Sequence, residues 1–227
     1  MPYTLSLPEI TQTKILEREN LCFEVYLSKD KIRIGDKDVS SLILQSQIKQ
    51  QKDDFRALDL PLVTAKLFVD VNTPMQKIDA LQNALKNEGL FKIAYVGKTD
   101  KSRVPLLLAH VAAIPQKLPP VDAKILDEYE LKNTEFNLIS WDLTNSNSSA
   151  SEMGKNLEEF INDSPKYLMV LSYNNKTGFG KYIMCIDAIY RTIYKLRNQR
   201  AMKLYQLNFE ELSDIQQNII KRSIQLL

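Results

Sequence analysis

The sequence predicts an α+β fold of two tandem small α/β units, each a mixed sheet with helices on one face. Segments with the two-residue alternation of strands are separated by segments with the 3.6-residue period of amphipathic helices. The same order of segments comes round twice, which predicts domains at residues 1–115 and 116–227. A hydrophobic content of 44% beside 26% charged residues is ordinary for a globular protein and excludes wholesale disorder.

The first unit begins with a polar leader around Leu7-Pro8, which a β-hairpin follows. Residues 21–28 are rich in aromatic and β-branched side chains and predict a strand. Lys29-Asp30 predicts the tight turn into a return strand at residues 31–34. Residues 39–50 then predict a helix. Its predicted apolar stripe consists of Leu42, Ile43 and Ile48.

A strand at residues 64–71 leads into the strongest helix start of the chain. Thr73 can cap the helix, Pro74 suits the first helical position, and Gln76 completes a capping box with Thr73. Gly89 ends this helix at a position that tolerates a left-handed backbone. Further strands are predicted at residues 91–96 and 104–111.

The second unit repeats this order after a second leader around Leu118-Pro119. Ser149 and Glu152 predict another capping box, and Ser213 is the predicted cap of a last helix. Ile-Asp-Ala-Leu at residues 78–81 matches Ile-Asp-Ala-Ile at residues 186–189, which lie 108 positions further along the chain. The other predicted features are strands at 136–143 and 167–173, a helix at 179–203, and a junction between the units near 113–117.

Composition excludes several classes of function. A net charge of +2 provides no concentrated basic face, which argues against electrostatic binding of nucleic acid. The single histidine, His110, excludes most histidine-dependent catalysis, and two cysteines cannot form a structural zinc site. The longest apolar run, residues 104–114, is shorter than the roughly 20 residues that cross a bilayer, and the N-terminus does not resemble a signal peptide.

Several segments together resemble the periplasmic domain of the ExbD/TolR family. Leu7-Pro8 is similar to the Leu-Pro pair after the family's membrane helix, and Asp70 to the Asp that ends a family strand. Gly89 is similar to the glycine that ends the next helix, and residues 90–97 to the family's Lys-Ile-Gly-Leu-Val-Gly strand. The second half is similar to a longer version with a Tyr-Ile-rich helix and a Gln-rich acidic tail. This likeness is carried by Tyr182-Ile183, Leu196-Arg197 and residues 210–217.

The resemblance implies a subunit of a proton-motive-force-driven complex for transport across the outer membrane, with no catalysis, cofactor or metal of its own. The implied partners are an ExbB/TolQ-like motor subunit and a TonB/TolA-like periplasmic protein, with peptidoglycan as a further candidate. The implied location is the periplasm, anchored to the inner membrane by a helix expected outside this sequence. Because family members act as dimers, a homodimer and a tandem chain that supplies both halves are both open.

We expect binding by addition of a strand to an exposed sheet edge, through backbone hydrogen bonds. Both leaders lack an evident internal partner and are held extended by proline. The predicted partner-binding residues are therefore Leu7, Pro8, Leu118 and Pro119.

Reactive side chains elsewhere have simple structural interpretations. His110 is expected in a buried or edge position, and Cys22 and Cys185 are expected to act as small hydrophobic side chains, with a disulfide between them as the alternative. Asp70 is expected to cap backbone N–H groups, with partner binding as the alternative. Gly-Phe-Gly-Lys at 178–181 lacks the spacing of a phosphate loop and predicts a turn before a helix.

Two further alternatives concern surfaces and clefts. The basic stretch at residues 191–203 is expected to be a solvated helix face, with contact to an anionic polymer as the alternative. A small hydrolase or ligand-binding protein would instead gather polar groups in a deep cleft, with His110 or Asp70 inside. The sequence offers no nucleophile–base pair for such an enzyme.

Overall fold

The structure, a computed structural model, describes residues 5–11, 18–99, 102–108, 137–144, 149–164 and 167–224. Its fold is mixed α+β, which confirms the predicted class. By their contacts the residues divide into two compact units, the first formed by 1–117 with 173–184 and the second by 118–172 with 185–227. The duplication and the assignment of two family-like domains stay predictions. Across the described residues, every helix is too short or too polar to span a bilayer.

The first unit holds a six-stranded mixed sheet. Its strands are β1 (Cys22–Leu27), β2 (Ile32–Ile34), β3 (Lys37–Val39), β4 (Thr64–Val69), β5 (Lys92–Thr99) and β6 (Ser102–Leu108). They lie in the order β3-β2-β1-β4-β5-β6, with β1, β4 and β5 parallel and the outer strands antiparallel to their neighbours.

Two helices cover one face of this sheet. Helix α1 (Leu44–Asp53) connects β1 to β4 by way of the β2–β3 hairpin, and α2 (Met75–Asn87) connects β4 to β5. The crossovers from β1 to β4 and from β4 to β5 step in the same direction across the sheet. Because such parallel crossovers are right-handed, both helices lie on the same side of the sheet. The fully buried side chains of this core include Val25, Leu27, Ile48, Leu67, Ile78, Leu81 and Leu85.

The predicted helix at residues 39–50 is wrong at its start. Residues 37–39 form β3, in which Val39 pairs with Ile32, and α1 begins only at Leu44. Gly35 makes the turn of this hairpin at φ +56°, a conformation that favours glycine. As a result Leu42 of the predicted apolar stripe is 94% exposed, while Ile48 is buried as expected.

The beginning and the end of α2 have different outcomes. The end is confirmed, since α2 stops at Asn87 and Gly89 follows at φ +75°. The capping box of Thr73 and Gln76 does not form, and Pro74 is the N-cap without a side-chain hydrogen bond. The first N–H groups of the helix bind backbone carbonyls far away in the sequence, so no side-chain cap is needed.

The second unit contains a parallel pair of strands, β7 (Asn137–Asp142) and β8 (Tyr167–Ser172), joined through α3 (Ala150–Asp163). The other helices described in this unit are α4 (Phe179–Tyr205), whose first six residues group with the first unit, and α5 (Asp214–Ser223). The predicted capping box of Ser149 with Glu152 is formed. Ser213 caps the last helix as predicted, and the structure adds that Gln216 completes a capping box with it. Met153, Leu157 and Ile161 form the buried stripe of α3.

The C-terminal segment folds back onto α4. Phe209, Leu212 and Ile220 pack with Ala201 into a small apolar cluster. The Arg197 guanidinium donates two hydrogen bonds to the Ile224 carbonyl, at 3.0 and 2.8 Å, and lies over the Phe209 ring. Burial lowers the pKa of Arg197, but the group keeps its charge at neutral pH.

Candidate functional site

The first leader, residues 5–11, lies across the ends of β4 and β5. The Ser6 carbonyl accepts from the Val71 N–H at 2.9 Å, which attaches the leader just beyond β4. Further along, the Pro8 carbonyl accepts from the Lys98 N–H at 2.8 Å, and the Ile10 N–H donates to the Lys98 carbonyl at 2.8 Å. The leader therefore runs parallel to the end of β5 as a short added strand.

Side-chain packing holds the leader as well. Pro8 is buried, Leu7 is half-buried, and Ile10 is only 2% exposed. Ile10 lies against Gly97 so closely that a Cβ at Gly97 would come within 2.7 Å of it. Gly97 therefore makes room for the leader.

The expectation that the first leader lacks an internal partner is wrong. Its carbonyls and N–H groups are used in the sheet, and Pro8 can contact another protein only after the leader leaves this position. Partner binding by Leu7 and Pro8 stays a prediction. Leu118, Pro119, His110 and the junction at 113–117 lie outside the described residues.

Asp70 binds backbone N–H groups, as predicted. One carboxylate oxygen accepts from the Asn72 N–H at 2.9 Å, and the other accepts from the Ser6 N–H at 2.8 Å. The side chain thus closes the turn after β4 and fixes the leader, rather than capping α2.

The turn before α2 pairs with the turn before α4, and we call residues 70–76 and 174–180 the paired turns. Both belong to the first unit. Pro74 faces Gly178 in an antiparallel bridge. The Met75 N–H donates to the Thr177 carbonyl at 2.8 Å, and the Phe179 N–H donates to the Thr73 carbonyl, also at 2.8 Å.

A second pair of hydrogen bonds lies next to the first, with donors one residue further along and acceptors two residues earlier. The Gln76 N–H donates to the Asn175 carbonyl at 3.3 Å, and the Gly180 N–H donates to the Val71 carbonyl at 2.8 Å. These two bonds have the reciprocal relation of the first two. Gly178-Phe179-Gly180 is thus a strand-to-helix turn, as the sequence predicts, and the N–H groups of Phe179 and Gly180 already have carbonyl partners.

Tyrosines and Asp79 cluster beside the paired turns. The Tyr173 hydroxyl donates to the Asp79 carboxylate at 2.9 Å, and Gln82 donates to the Tyr95 hydroxyl at 2.6 Å. The Tyr182 ring packs edge-on against Tyr173, with centroids 5.7 Å apart. Burial raises the pKa values of Tyr173 and Tyr95, and the Asp79 carboxylate adds to the shift at Tyr173, so these phenols stay protonated at neutral pH.

The outer face of the first sheet carries polar and aromatic side chains. Tyr26 and Phe68 stack with ring centroids 4.6 Å apart, and the Tyr26 hydroxyl donates to Glu24 at 2.5 Å. Lys66 forms an ion pair with Glu24 at 3.2 Å. Burial and this carboxylate raise the pKa of Tyr26 to about 12.

Both cysteines are free thiols. Cys185 is buried, which raises its pKa to about 12, and Cys22 is half-buried with its pKa raised for the same reason. Burial of Cys185 agrees with its predicted role as a small hydrophobic side chain, whereas the Cys22 thiol donates a hydrogen bond to the Arg18 carbonyl at 3.4 Å. Within the basic stretch of α4, Lys195 pairs with Glu158 at 2.8 Å and Arg197 binds a carbonyl, so part of its charge is already engaged.

In the described part of the chain, Asp70 lines neither the open pocket beside β1 and β2 nor the one beside the β2–β3 turn. The larger cavity, ≈ 270 Å³, lies between the β2–β3 turn and α1 and is lined by Asp36, Lys37 and three glutamines. The described residues contain no group of three or more His, Cys, Asp or Glu side chains placed to hold a metal ion.

No protein-family model, curated protein or solved structure matches the chain.

Proposed function

We propose that this chain is the periplasmic part of an ExbD/TolR-like subunit that acts by binding other proteins. In this proposal it belongs to a proton-motive-force-driven complex for transport across the outer membrane. Its partners are an ExbB/TolQ-like motor subunit and a TonB/TolA-like periplasmic protein. The chain contributes surfaces and backbone hydrogen bonds, and it carries out no reaction itself.

The observation that supports this proposal is the docking of the first leader. The sheet binds an extended, proline-containing segment through three backbone hydrogen bonds and two buried side chains, Pro8 and Ile10. Partner proteins that add a strand to a sheet are bound in the same way, with affinity from the main chain and specificity from pockets for alternate side chains.

The outer strands of the first sheet differ in how well they suit an added strand. β3 has three residues, and its exposed Lys37 and Asp38 discourage edge-to-edge pairing. β6 has seven residues, and no described strand pairs with its outer side. It contains Pro105, a residue that sheets tolerate at their edges. We therefore assign strand addition to β6, with the leader's position as the second place.

A solution NMR titration of the ¹⁵N-labelled chain tests this function. The probes are the periplasmic domains of a TonB-like and a TolA-like protein, with a scrambled peptide of matched composition as the control. We expect shifts at β6 amides for addition to the edge, or at Val71 and Lys98 for replacement of the leader. Unchanged spectra with both domains would remove the binding proposal.

A peptidoglycan-binding module is the second candidate, and the outer sheet face favours it. The stacked Tyr26 and Phe68 rings, with Glu24 and Lys66 beside them, combine apolar faces with charged groups, as carbohydrate polymers with amino and carboxylate groups require. Co-sedimentation with purified cell wall tests it. Phe68→Leu should lower the bound fraction, whereas Phe91→Leu, at an exposed aromatic residue next to β5, should not. Equal binding by both variants would exclude this face.

A further inference from the structure

The hydrogen bonds between the paired turns are reciprocal. The two turns are offset by 104 residue numbers, so that Met75 corresponds to Phe179 and Thr73 to Thr177. Exchanging the two turns therefore converts the bond from Met75 to Thr177 into the bond from Phe179 to Thr73. The bonds of Gln76 and Gly180 are related by the same shift. Any antiparallel pair has this local two-fold relation around its bridge. An interface that keeps the relation beyond the bridge is isologous, the type found in two-fold symmetric dimers.

The equivalence extends to bonds inside each turn, which pairing alone does not require. Asp70 accepts from the N–H two residues on, and Asn174 does the same at 2.9 Å. The Thr73 N–H donates to the Asp70 carbonyl at 2.9 Å, and the Thr177 N–H donates to the Asn174 carbonyl at 3.1 Å. Asn174 is therefore the counterpart of Asp70, which the sequence alone did not identify.

Close packing accompanies these bonds. Thr73 and Phe179 are fully buried, and Met75 is 1% exposed. A Cβ at Gly180 would lie 3.0 Å from the Val71 side chain, so the backbones approach as closely as glycine allows. Such packing resembles a permanent interface rather than a passing contact.

We propose that the paired turns are a self-recognition interface that the chain closes on itself, so that one polypeptide takes the place of two subunits of a symmetric dimer. The surface fits a strand–turn–helix segment of its own kind. Because the second segment comes from the same chain, the surface is occupied and a second chain finds no place on it. The inference rests on the reciprocal bonds together with the matching bonds inside the two turns, and it does not depend on the proposed function.

An engineered disulfide between Pro74→Cys and Gly178→Cys tests this. The hydrogen bonds flank this pair, which makes it a non-hydrogen-bonded antiparallel pair with Cα atoms about 4.5 Å apart, within the range that a disulfide spans. The background carries Cys22→Ser and Cys185→Ala. A control pair, Pro74→Cys with Lys176→Cys, shifts the register by two residues.

We expect the Pro74/Gly178 pair to form an intrachain disulfide quickly under mild oxidation, giving a monomer on a non-reducing gel. The control pair should cross-link several-fold more slowly. A disulfide that joins two chains, or rates equal to those of the control, would overturn the proposal. Light scattering on the unmodified chain gives an independent readout that requires no variant to fold. A monomer over the micromolar range supports closure within one chain, and a stable dimer that exchanges these segments overturns it.

Discussion

Replacing Gly97 with alanine should release the first leader while the sheet stays folded. The new Cβ would lie 2.7 Å from both Cγ1 and Cδ1 of Ile10, closer than real contacts allow. The three nearest atoms all belong to the Ile10 side chain. The leader can move away from the sheet, whereas β5 is held between β4 and β6, so the strain displaces the leader.

The size of the effect follows from what the leader loses. Ile10 is 2% exposed, and burying such a side chain contributes about 1.5–3 kcal/mol. Because 1.4 kcal/mol corresponds to a factor of ten, loss of this contact should raise the population of the open leader about 10- to 150-fold. The backbone hydrogen bonds of the leader open with it.

Native-state hydrogen exchange measures this directly. The amides of Ile10, Lys98 and Val71 should exchange faster by that factor, while core amides of β4 stay protected. Gly154→Ala is the matched control, since its Cβ would meet only Thr192 Oγ1 in the second unit, at 3.1 Å. Adding Ile10→Ala to Gly97→Ala should cost less than the sum of the two single changes. An unchanged exchange rate at Lys98, or an equal loss of amide protection throughout the sheet, would refute this reasoning.

Four further expectations concern other contacts. Tyr173→Phe should flatten the loss of stability above pH 10: the raised pKa of the Tyr173 phenol gives a contribution that is full below the unfolded value of about 10 and is lost as the pH rises through the folded value. Because Cys185 is buried and its thiol pKa is raised, the native chain should react with a thiol reagent at Cys185 at pH 8 only after unfolding, as measured by the absorbance of the reagent. Ser149→Ala should cost about 1 kcal/mol in urea unfolding. Met75→Pro should be about 1 kcal/mol less stable than Met75→Ala, because it lacks the N–H that binds Thr177.

Each of these expectations has an outcome that would contradict it. Identical alkaline unfolding of Tyr173→Phe and the parent chain would remove the phenol–carboxylate account. Rapid labelling of Cys185 in the native state would mean that its surroundings open. Equal free energies of unfolding for Ser149→Ala and the parent chain would mean that the Ser149 cap contributes no stability. Proline is ordinarily tolerated in the first turn of a helix, so equal stability of the two Met75 variants would mean that its N–H has no partner.

Local patterns predicted much of the fold. Strands β1, β4 and β7 were predicted close to their observed bounds, because their alternation and composition are strong. The Ser149 cap was predicted because a capping box is complete within four residues. The Ser213 cap was predicted because a serine stands before a segment with helical apolar spacing. The end of α2 at Gly89 was predicted because a residue with left-handed backbone after a helix is most often glycine.

The features that sequence reasoning missed depend on residues far apart in the chain. Thr73 and Gln76 have the sequence of a capping box, but the Thr177 and Asn175 carbonyls take the N–H groups of the first helical turn. The docking of the leader depends on Gly97, and a glycine within a strand does not reveal what packs against it. β3 was missed since three residues carry too little alternation to predict a strand.

The internal match at 108 positions also shows a limit of sequence reasoning. The paired turns are related by 104 positions, which differs from 108 by about one helical turn. Two amphipathic helices aligned one turn apart still place apolar residues on the same stripe. Helical periodicity therefore predicts a similarity of the two segments without fixing their register, whereas the backbone pairing relates the two turns at an offset of 104.

Hydrogen exchange at the four amides that cross between the paired turns tests the account most directly. These are the N–H groups of Met75, Gln76, Phe179 and Gly180. Because reciprocal bonds in one interface open together, we predict a common protection factor for all four amides. Strong protection of Met75 and Gln76 beside free exchange of Phe179 and Gly180 would contradict the pairing.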